Sequence, residues 1–261
     1  MSQVAIHPTA VVSPKAHLAP DVKIGPYAVV EGPSEIGPGV EIGAHAVIHP
    51  FVRLAAGVKV GPHAVLGGLP QDLSFQGEET WLEVGANTVL REGVTLHRST
   101  QKVRPTRIGS DCYLMGYTHV GHDAQVGNGV ILTQGAGVAG HVEIGDSVVV
   151  GGLAGIHQFV RVGSRAMIGG LSKVTRDVLP FSLVEGSPAL HYRLNTVGLR
   201  RAGICGERYQ ALEQAFRAVR EGRSLEGLPD TEEVRILKAF LASPSKRHLS
   251  GFARGRPSFE G

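Results

Sequence analysis

The stretch ILTQGAGVAGHVEIGDSVVV (residues 131–150) carries an aliphatic side chain at every sixth residue. Leu132, Val138, Ile144 and Val150 occupy this position. Four residues after Leu132, Val138 and Ile144, the chain has a small or β-branched residue. A period of six matches neither the 3.6-residue turn of an α-helix nor the simple alternation of a β-strand. It predicts a short strand with two inward side chains, followed by a tight corner.

The same phase runs through 26 Ile, Val or Leu positions between Ile6 and Val174. Glycine often follows the aliphatic residue, which suits a corner because glycine, asparagine and aspartate tolerate positive φ. Three six-residue units close a triangular coil, and successive coils stack at about 4.8 Å, the spacing of paired strands. We therefore predict a mainly β protein, with a parallel β-helix of hexapeptide repeats over residues 1–190.

Composition narrows the class of protein. The 261 residues include 36 glycines, yet 42% are hydrophobic, which excludes a disordered chain. Two cysteines cannot form a disulfide framework. The first residues lack the basic and apolar regions of a signal peptide, and no apolar run is long enough to span a membrane. We expect a cytoplasmic protein without stable membrane insertion.

The C-terminal quarter differs from the repeat region in pattern and charge. Helical spacing predicts helices over 206–221 and 231–242, the second capped by Thr231, so residues 191–261 form a small α-helical domain. Residues 187–204 read as a crossing segment. Residues 193–261 hold 13 Lys and Arg against 8 Asp and Glu, whereas residues 1–192 hold 13 against 15. Without aromatic residues interleaved among the basic ones, this charge indicates an acidic protein partner and no nucleic acid.

Two polar segments, residues 70–83 and 100–107, interrupt the period and are candidate functional loops. Four histidines are nearly a coil apart, which predicts that they line one vertical strip of the prism. They are His119, His122, His141 and His157. Such a strip suits either zinc ligation or general-base catalysis, and spacing alone does not separate these two chemistries.

Four motifs carry a resemblance to a known family. They are QDLSFQGE (71–78), GYTHVGHDAQVGN (116–128), AGHVEIGD (139–146) and GIHQFVRVG (155–163). Together they resemble the UDP-N-acetylglucosamine O-acyltransferases of lipid A biosynthesis, which belong to the hexapeptide-repeat acyltransferases. The resemblance implies a left-handed β-helix and a homotrimer with active sites between neighbouring prisms. It also implies transfer of an (R)-3-hydroxyacyl chain from acyl carrier protein to the 3-hydroxyl of UDP-N-acetylglucosamine.

The resemblance also assigns roles to residues. His122 would be the general base, Asp123 would bias its imidazole, and the Gly140 N–H would stabilise the oxyanion. We expect contact between Asp123 and His122 to be indirect, because adjacent strand residues point to opposite faces. The positions matching sugar, pyrophosphate, acyl-chain or uridine contacts are Asp72, His119, His141, His157, Gln158, Gly170, Asn195 and Arg201, with Gly170 matching the position that sets acyl length. No cofactor or metal is expected, since 4'-phosphopantetheine arrives on the carrier protein.

Three residues depart from the family pattern. Ser74 replaces a lysine, Val197 an acidic residue and Ala202 an arginine. These changes keep open a related reaction in which the acceptor is a UDP-amino sugar with a 3-amino group. Two further alternatives are a zinc hydratase, similar to the gamma-class carbonic anhydrases, and a non-catalytic scaffold.

Overall fold

The computed structural model describes residues 4–253. Within this range 28 short strands, numbered β1–β28 in chain order, form three sheets. Face A contains β1 (Ala5–Ile6), β4 (Lys23–Ile24), β7 (Glu41–Ile42), β10 (Lys59–Val60), β13 (Val89–Leu90), β16 (Tyr113–Leu114), β19 (Ile131–Leu132), β22 (Val149–Val150), β25 (Met167–Ile168), β27 (Ser182–Gly186) and β28 (Ala189–Leu194).

Face B contains β2 (Val11–Val12), β5 (Val29–Val30), β8 (Val47–Ile48), β11 (Val65–Gly68), β14 (Thr95–His97), β17 (His119–Val120), β20 (Gly137–Val138), β23 (Gly155–Ile156) and β26 (Lys173–Val174). Face C contains β3 (Ala16–Leu18), β6 (Ser34–Ile36), β9 (Val52–Leu54), β12 (Leu82–Val84), β15 (Thr106–Ile108), β18 (Gln125–Val126), β21 (Glu143–Ile144) and β24 (Arg161–Val162). Strands β1–β27 pair in parallel with strands one coil away, which confirms the predicted parallel β-helix, whereas β28 pairs antiparallel with β27.

The period-six aliphatics fill the interior of the prism. Leu132 and Val138 are fully buried, and so is Ala136 in the small-residue position between them. Each buried aliphatic of this size contributes about 1.5–3 kcal/mol to folding. The first coil is the exception: Ile6 is 44% exposed, and Val12 and Leu18 are half-buried, because no described coil covers them from below.

Most corners repeat one pattern after the aliphatic residue. The third corner residue adopts positive φ, as at Tyr27 and His63. The residue before it is a proline at many corners, including Pro26 and Pro62. Proline has no N–H, so this proline-tolerant slot lies outside the hydrogen-bond ladder between coils.

The last coil leads into the C-terminal part. The predicted crossing segment (187–204) instead contains β28, which forms an antiparallel hairpin with the preceding β27, and a short helix, α1 (Thr196–Arg201). The predicted boundary at residue 190 falls inside β28. Helices α2 (Gly206–Arg220) and α3 (Glu232–Ala242) were predicted correctly, and the Thr231 hydroxyl accepts a hydrogen bond from the Val234 N–H as an N-cap.

The helical part has its own apolar core. This core is built from Leu179, Phe181, Leu194, Leu199, Leu212, Ala215, Val234 and Leu237, among others. Among residues 4–253, no helix is both long and apolar enough to cross a membrane.

Candidate active site

A cleft of about 510 Å³ opens on face B where that face turns the corner towards face C. Its floor exists because two outward strand positions lack side chains. Gly137 and Gly155 stand in register with His119, and a Cβ at either glycine would meet no atom within 4 Å. His122, Gly140, His157 and Gln158 are among the residues that line the walls of the cleft.

His122 and Asp123 form the central pair of the cleft. The His122 Nδ1 lies 2.7 Å from Asp123 Oδ2, and both side chains are buried. The expectation of an indirect contact is therefore wrong. Both residues lie in a corner, where Asp123 has a φ of 62°, so the alternation of strand side chains does not apply.

Asp123 is held ionised by several donors. Burial alone raises the pKa of its carboxyl, but hydrogen bonds from His122, Ser99 and Thr100 outweigh burial and hold that pKa well below its usual range. The Ser99 hydroxyl donates to Oδ1 at 2.5 Å, and the Thr100 hydroxyl donates to Oδ2 at 2.8 Å. An ionised carboxylate only accepts hydrogen bonds, so the His122 proton sits on Nδ1. The Nε2 lone pair is left free to accept a proton.

His141 and Asp72 complete a cluster around this pair. The rings of His141 and His122 are nearly perpendicular, with centroids 5.1 Å apart. Burial lowers the pKa of His141, although Asp123 opposes the shift. One ligand atom from each of Asp72, His122 and His141 lies within 4.8 Å of the others, so these three residues could hold a cation.

Gly140 occupies the proline-tolerant slot of its corner, one residue before the positive-φ residue His141. Among the described residues its N–H has no hydrogen-bond acceptor, as expected for a slot outside the ladder. A Cβ at this position would stand 2.7 Å from His122 Nε2. Only glycine therefore leaves both an unpaired N–H and room for the imidazole.

The four predicted histidines share this region without stacking in exact register. His122 is in register with Gly140, whereas His119 is in register with Gly137, and His141 lies one residue beyond the His122 register. The prediction that they line one strip holds only in part: His119, His122 and His157 line one cleft and His141 packs against His122, but spacings of 19 and 16 residues miss the 18-residue coil and prevent stacking in exact register. His119 instead packs edge-on against His97 at 5.1 Å, and burial lowers the pKa of His119.

Comparison with known proteins identifies the family. Residues 177–256 match the family model "Udp N-acetylglucosamine O-acyltransferase; Domain 2", and residues 15–50, 33–68 and 105–140 match a model of six bacterial transferase hexapeptides. Two relatives are named acyl-[acyl-carrier-protein]--UDP-N-acetylglucosamine O-acyltransferase. The protein from Paraburkholderia xenovorans is 46% identical over 223 residues, covering 85% of each chain. The one from Halorhodospira halophila is 44% identical over 223 residues, covering 85% of this chain and 86% of the relative.

The chain belongs to the UDP-N-acetylglucosamine O-acyltransferase family. A solved structure of the family member from Bacteroides fragilis aligns with a TM-score of 0.90 and 32% identity, covering 95% of this chain and all of that one. The family likeness therefore spans both the β-helix and the helical part.

Several residues that match family positions lie outside the cleft of a single chain. Asn195 caps α1 and donates its side-chain amide to the Arg165 carbonyl, so both its polar groups are used. Arg201 is exposed at the end of α1, and Gly170 lies at an exposed corner. The roles predicted for these three residues stay predictions.

The structure also shows the surroundings of Ser74, Val197 and Ala202, the three residues that depart from the family pattern. Both the N–H and the hydroxyl of Ser74 donate to Asp72 Oδ1, at 2.9 and 2.7 Å, and these bonds lower the pKa of Asp72. Ser74 thus orients a predicted site residue. Val197 is exposed on α1, and Ala202 follows the last residue of that helix.

Sequence reasoning missed three groups that support the site. Ser99 and Thr100 hold Asp123, and Arg247 reaches His157 from the far end of the chain. The interruption at 100–107 did flag the loop that holds Thr100, whereas Ser99 lies just outside it. Nothing in the repeat pattern indicates the contact of Arg247, because it joins residues 90 positions apart.

Proposed function

We propose that this acyltransferase moves an (R)-3-hydroxyacyl chain from acyl carrier protein to the 3-hydroxyl of UDP-N-acetylglucosamine, the first step of lipid A biosynthesis. The observation that carries the proposal is the buried His122–Asp123 pair facing the unpaired N–H slot of Gly140. Family membership supplies the reaction class, and this pair supplies a base and an oxyanion donor at one corner.

The first step is removal of a proton from the acceptor hydroxyl. His122 Nε2 takes the proton as the sugar oxygen attacks the thioester carbonyl, so an O–H bond breaks while a C–O bond forms. Asp123, ionised and bonded to His122 Nδ1, holds the ring in this tautomer and stabilises the imidazolium that develops. A base placed this way contributes about 10²–10⁴-fold to the rate.

The second step is collapse of the tetrahedral intermediate. Its oxyanion accepts a hydrogen bond from the Gly140 N–H, which has no other acceptor within the described range 4–253. The carbon–sulfur bond then breaks, and the imidazolium returns its proton to the thiolate of 4'-phosphopantetheine. The prosthetic group stays on the carrier protein, so the reaction needs no cofactor bound to this chain.

The surrounding residues bind and orient the two substrates in this proposal. Asp72, His119, His141, His157 and Gln158 stand in or beside the cleft. Two of them have fixed polar groups: the hydroxyl of Thr95 lies 2.9 Å from His119 Nδ1, and Ser74 orients Asp72. The proposal assigns the acyl-length position to Gly170, where absence of a side chain leaves room for a long chain.

Partners and location belong to the same proposal. Acyl carrier proteins are acidic, and the excess of Lys and Arg over residues 193–261 would steer them towards the helical part. A homotrimer would form the complete site between neighbouring prisms and could bring Asn195 and Arg201 of one chain to the cleft of another. We place the enzyme in the cytoplasm, the location that suits these substrates.

Two alternative functions each rest on a specific observation. Ser74, Val197 and Ala202 favour an acceptor that carries a 3-amino group, since all three positions depart from the family pattern. The Asp72, His122 and His141 cluster favours a zinc hydratase. In that reaction His122 Nε2 would be a metal ligand and could not act as a base.

One assay separates these candidates. Purified full-length protein is incubated with a panel of 3-hydroxyacyl carrier proteins and with UDP-N-acetylglucosamine or its 3-amino analogue, and products are identified by mass spectrometry. We expect an acylated nucleotide sugar whose acyl group is released by mild base, as an ester is, with a rate unchanged by a chelator. Product from the amino sugar alone would favour the N-acyl reaction, and chelator-sensitive hydration of CO₂ without acyl transfer would favour the hydratase.

A further inference from the structure

The segment 245–250, which follows α3, crosses back over the coils that form the cleft. Asp177 anchors it to the last coil: its N–H donates to the His248 carbonyl at 2.8 Å, and its own carbonyl accepts from the Ser250 N–H at 2.9 Å. The buried Asp177 carboxylate in turn accepts from the backbone N–H and the Nε of Arg161. The segment is therefore fixed on the β-helix beside the cleft.

Arg247 makes two hydrogen bonds from this segment to the cleft wall. Its Nε donates to the Gln158 carbonyl at 2.9 Å, and its terminal nitrogen lies 2.9 Å from His157 Nδ1. A guanidinium has five donors and no acceptor. His157 Nδ1 must accept this bond, so a neutral His157 carries its proton on Nε2.

The opposite tautomer has an acceptor close by. The Gln158 carbonyl lies 3.3 Å from His157 Nδ1 and would accept a proton carried there. Arg247 occupies both that carbonyl and that nitrogen, so it removes the competing arrangement. The imidazole is exposed and lines the cleft, so its tautomer decides whether the cleft meets a donor or an acceptor at this point.

We propose that Arg247 is a positioning residue that fixes the tautomer of His157, so that His157 presents an Nε2–H donor to an oxygen of the substrate. The group recognised is a carbonyl or phosphate oxygen, since a hydroxyl would serve either tautomer. The kinetic part of the test rests on the proposed function, whereas the tautomer itself does not.

The direct test is nitrogen NMR of full-length protein labelled at the histidine ring nitrogens, with His157→Ala identifying the signals. We expect the His157 proton on Nε2 in the wild type. In Arg247→Ala the ratio of the Nδ1–H to the Nε2–H form should rise about tenfold, the effect of losing one charge-assisted hydrogen bond. Arg247→Lys, which keeps the charge but offers one nitrogen where the guanidinium offers two, should lie between them. A wild-type proton on Nδ1, or an unchanged ratio in Arg247→Ala, would overturn the proposal.

Kinetics test whether Arg247 acts through His157. We expect Arg247→Ala to lower kcat/KM about tenfold, with partial recovery in Arg247→Lys. The double variant with His157→Ala should be no worse than His157→Ala alone. Additive losses would contradict the proposal. Lys15→Ala, which removes an exposed positive charge from the N-terminal coils, should leave the rate unchanged.

The NMR test of the His157 tautomer and the kinetic test can give independent results. A wild type that transfers no acyl group would reject the proposed function, while the NMR signals of His157 would still decide the role of Arg247. Light scattering on each variant confirms that its oligomeric state matches that of the wild type.

Discussion

Two pairs of histidines sit at corners of the same β-helix, yet only one pair has the setting for chemistry. In the N-terminal coils His45 and His63 are exposed and stack face to face, with centroids 5.0 Å apart and planes within 5°. In the cleft coils His122 and His141 meet nearly at right angles, and His122 is bonded to the buried carboxylate of Asp123. The corner backbone is alike in both regions, so histidine at a corner does not by itself make a site.

The difference comes from what interrupts the repeat. The loop between β14 and β15 brings the hydroxyls of Ser99 and Thr100 onto Asp123, and the loop between β11 and β12 brings Asp72 beside the two histidines. Between Ala5 and Val65 the N-terminal coils have no such insertion. The regular coils position the residues, and the inserted loops supply the polar contacts that tune them.

The proline-tolerant slot also differs between the two regions. At Pro26 and Pro62 it only turns the chain. Gly140 fills it in the cleft coils, where its Cα faces the His122 ring and its N–H has no acceptor among residues 4–253. One feature of the repeat is therefore structural in one region and chemical in the other.

The largest effect should come from removing the base. His122→Ala should lower kcat about 10²–10⁴-fold, because no other group takes the proton from the acceptor hydroxyl. His45→Ala, the matched change in the N-terminal pair, should leave kcat unchanged. Steady-state acyl transfer measured on both variants checks the comparison, and similar losses in the two would contradict it.

Gly140→Ala should be the next most damaging change. The added methyl group would lie 2.7 Å from His122 Nε2 and push the imidazole away from the oxyanion donor, which should cost roughly 10²–10³-fold in kcat. Gly152→Ala is the control in the same slot of another corner, since its methyl group would find no atom closer than 3.5 Å. Normal kcat in Gly140→Ala would remove Gly140 from the mechanism.

Asp123→Asn should lower kcat about 10- to 100-fold, the effect of losing a charged hydrogen-bond acceptor, because it removes the charge that stabilises the imidazolium but keeps a neutral acceptor. It should also change the acid stability. The lowered pKa of Asp123 means that its stabilising contribution is complete above the ordinary aspartate pKa of about 3.9 and is lost as the pH falls below that value.

Acid unfolding followed by circular dichroism should therefore be less steep below pH about 4 in Asp123→Asn than in the wild type. Asp111→Asn is the matched control, since Asp111 is an exposed aspartate that also has positive φ. An Asp111→Asn curve as shallow as that of Asp123→Asn would show that the buried hydrogen bonds are not the cause.

The smallest effect on catalysis is expected at the hairpin of β27 and β28, which lies outside the residues that line the cleft and where the change concerns stability. His191 is buried: its Nε2 accepts from the Leu179 N–H, and its Nδ1 donates to the Ser250 carbonyl. Burial lowers the pKa of His191 to about 4. The unfolded chain then binds a proton that the fold does not between pH about 6.5 and 4, so stability falls across that window by roughly 3 kcal/mol at most.

Thermal unfolding at a series of pH values measures this loss. His191→Gln should unfold at a lower temperature than the wild type but with a flatter dependence on pH. His63→Gln, at an exposed corner, should keep the wild-type dependence. An unchanged slope in His191→Gln would show that another group causes the acid sensitivity.

Much of the fold could be predicted from sequence because each coil repeats a local rule. The period-six aliphatics fixed the strands, and helical spacing placed α2 and α3. The hairpin of β27 and β28 was missed because its pairing breaks the period.

The site was predicted less completely. His122 and Gly140 lie in motifs, whereas the direct contact of Asp123 depends on its positive φ, and the Arg247 contact depends on tertiary packing. The four histidines do meet at the cleft, but an offset of one or two residues from the 18-residue coil keeps them from stacking in exact register.

The most direct test of the account is a crystal structure of the protein bound to UDP-N-acetylglucosamine. We expect the 3-hydroxyl oxygen of the sugar within about 2.6–3.2 Å of His122 Nε2, the reach of a general base. A sugar bound with that hydroxyl facing another side chain, or more than about 4 Å from Nε2, would contradict the role of His122.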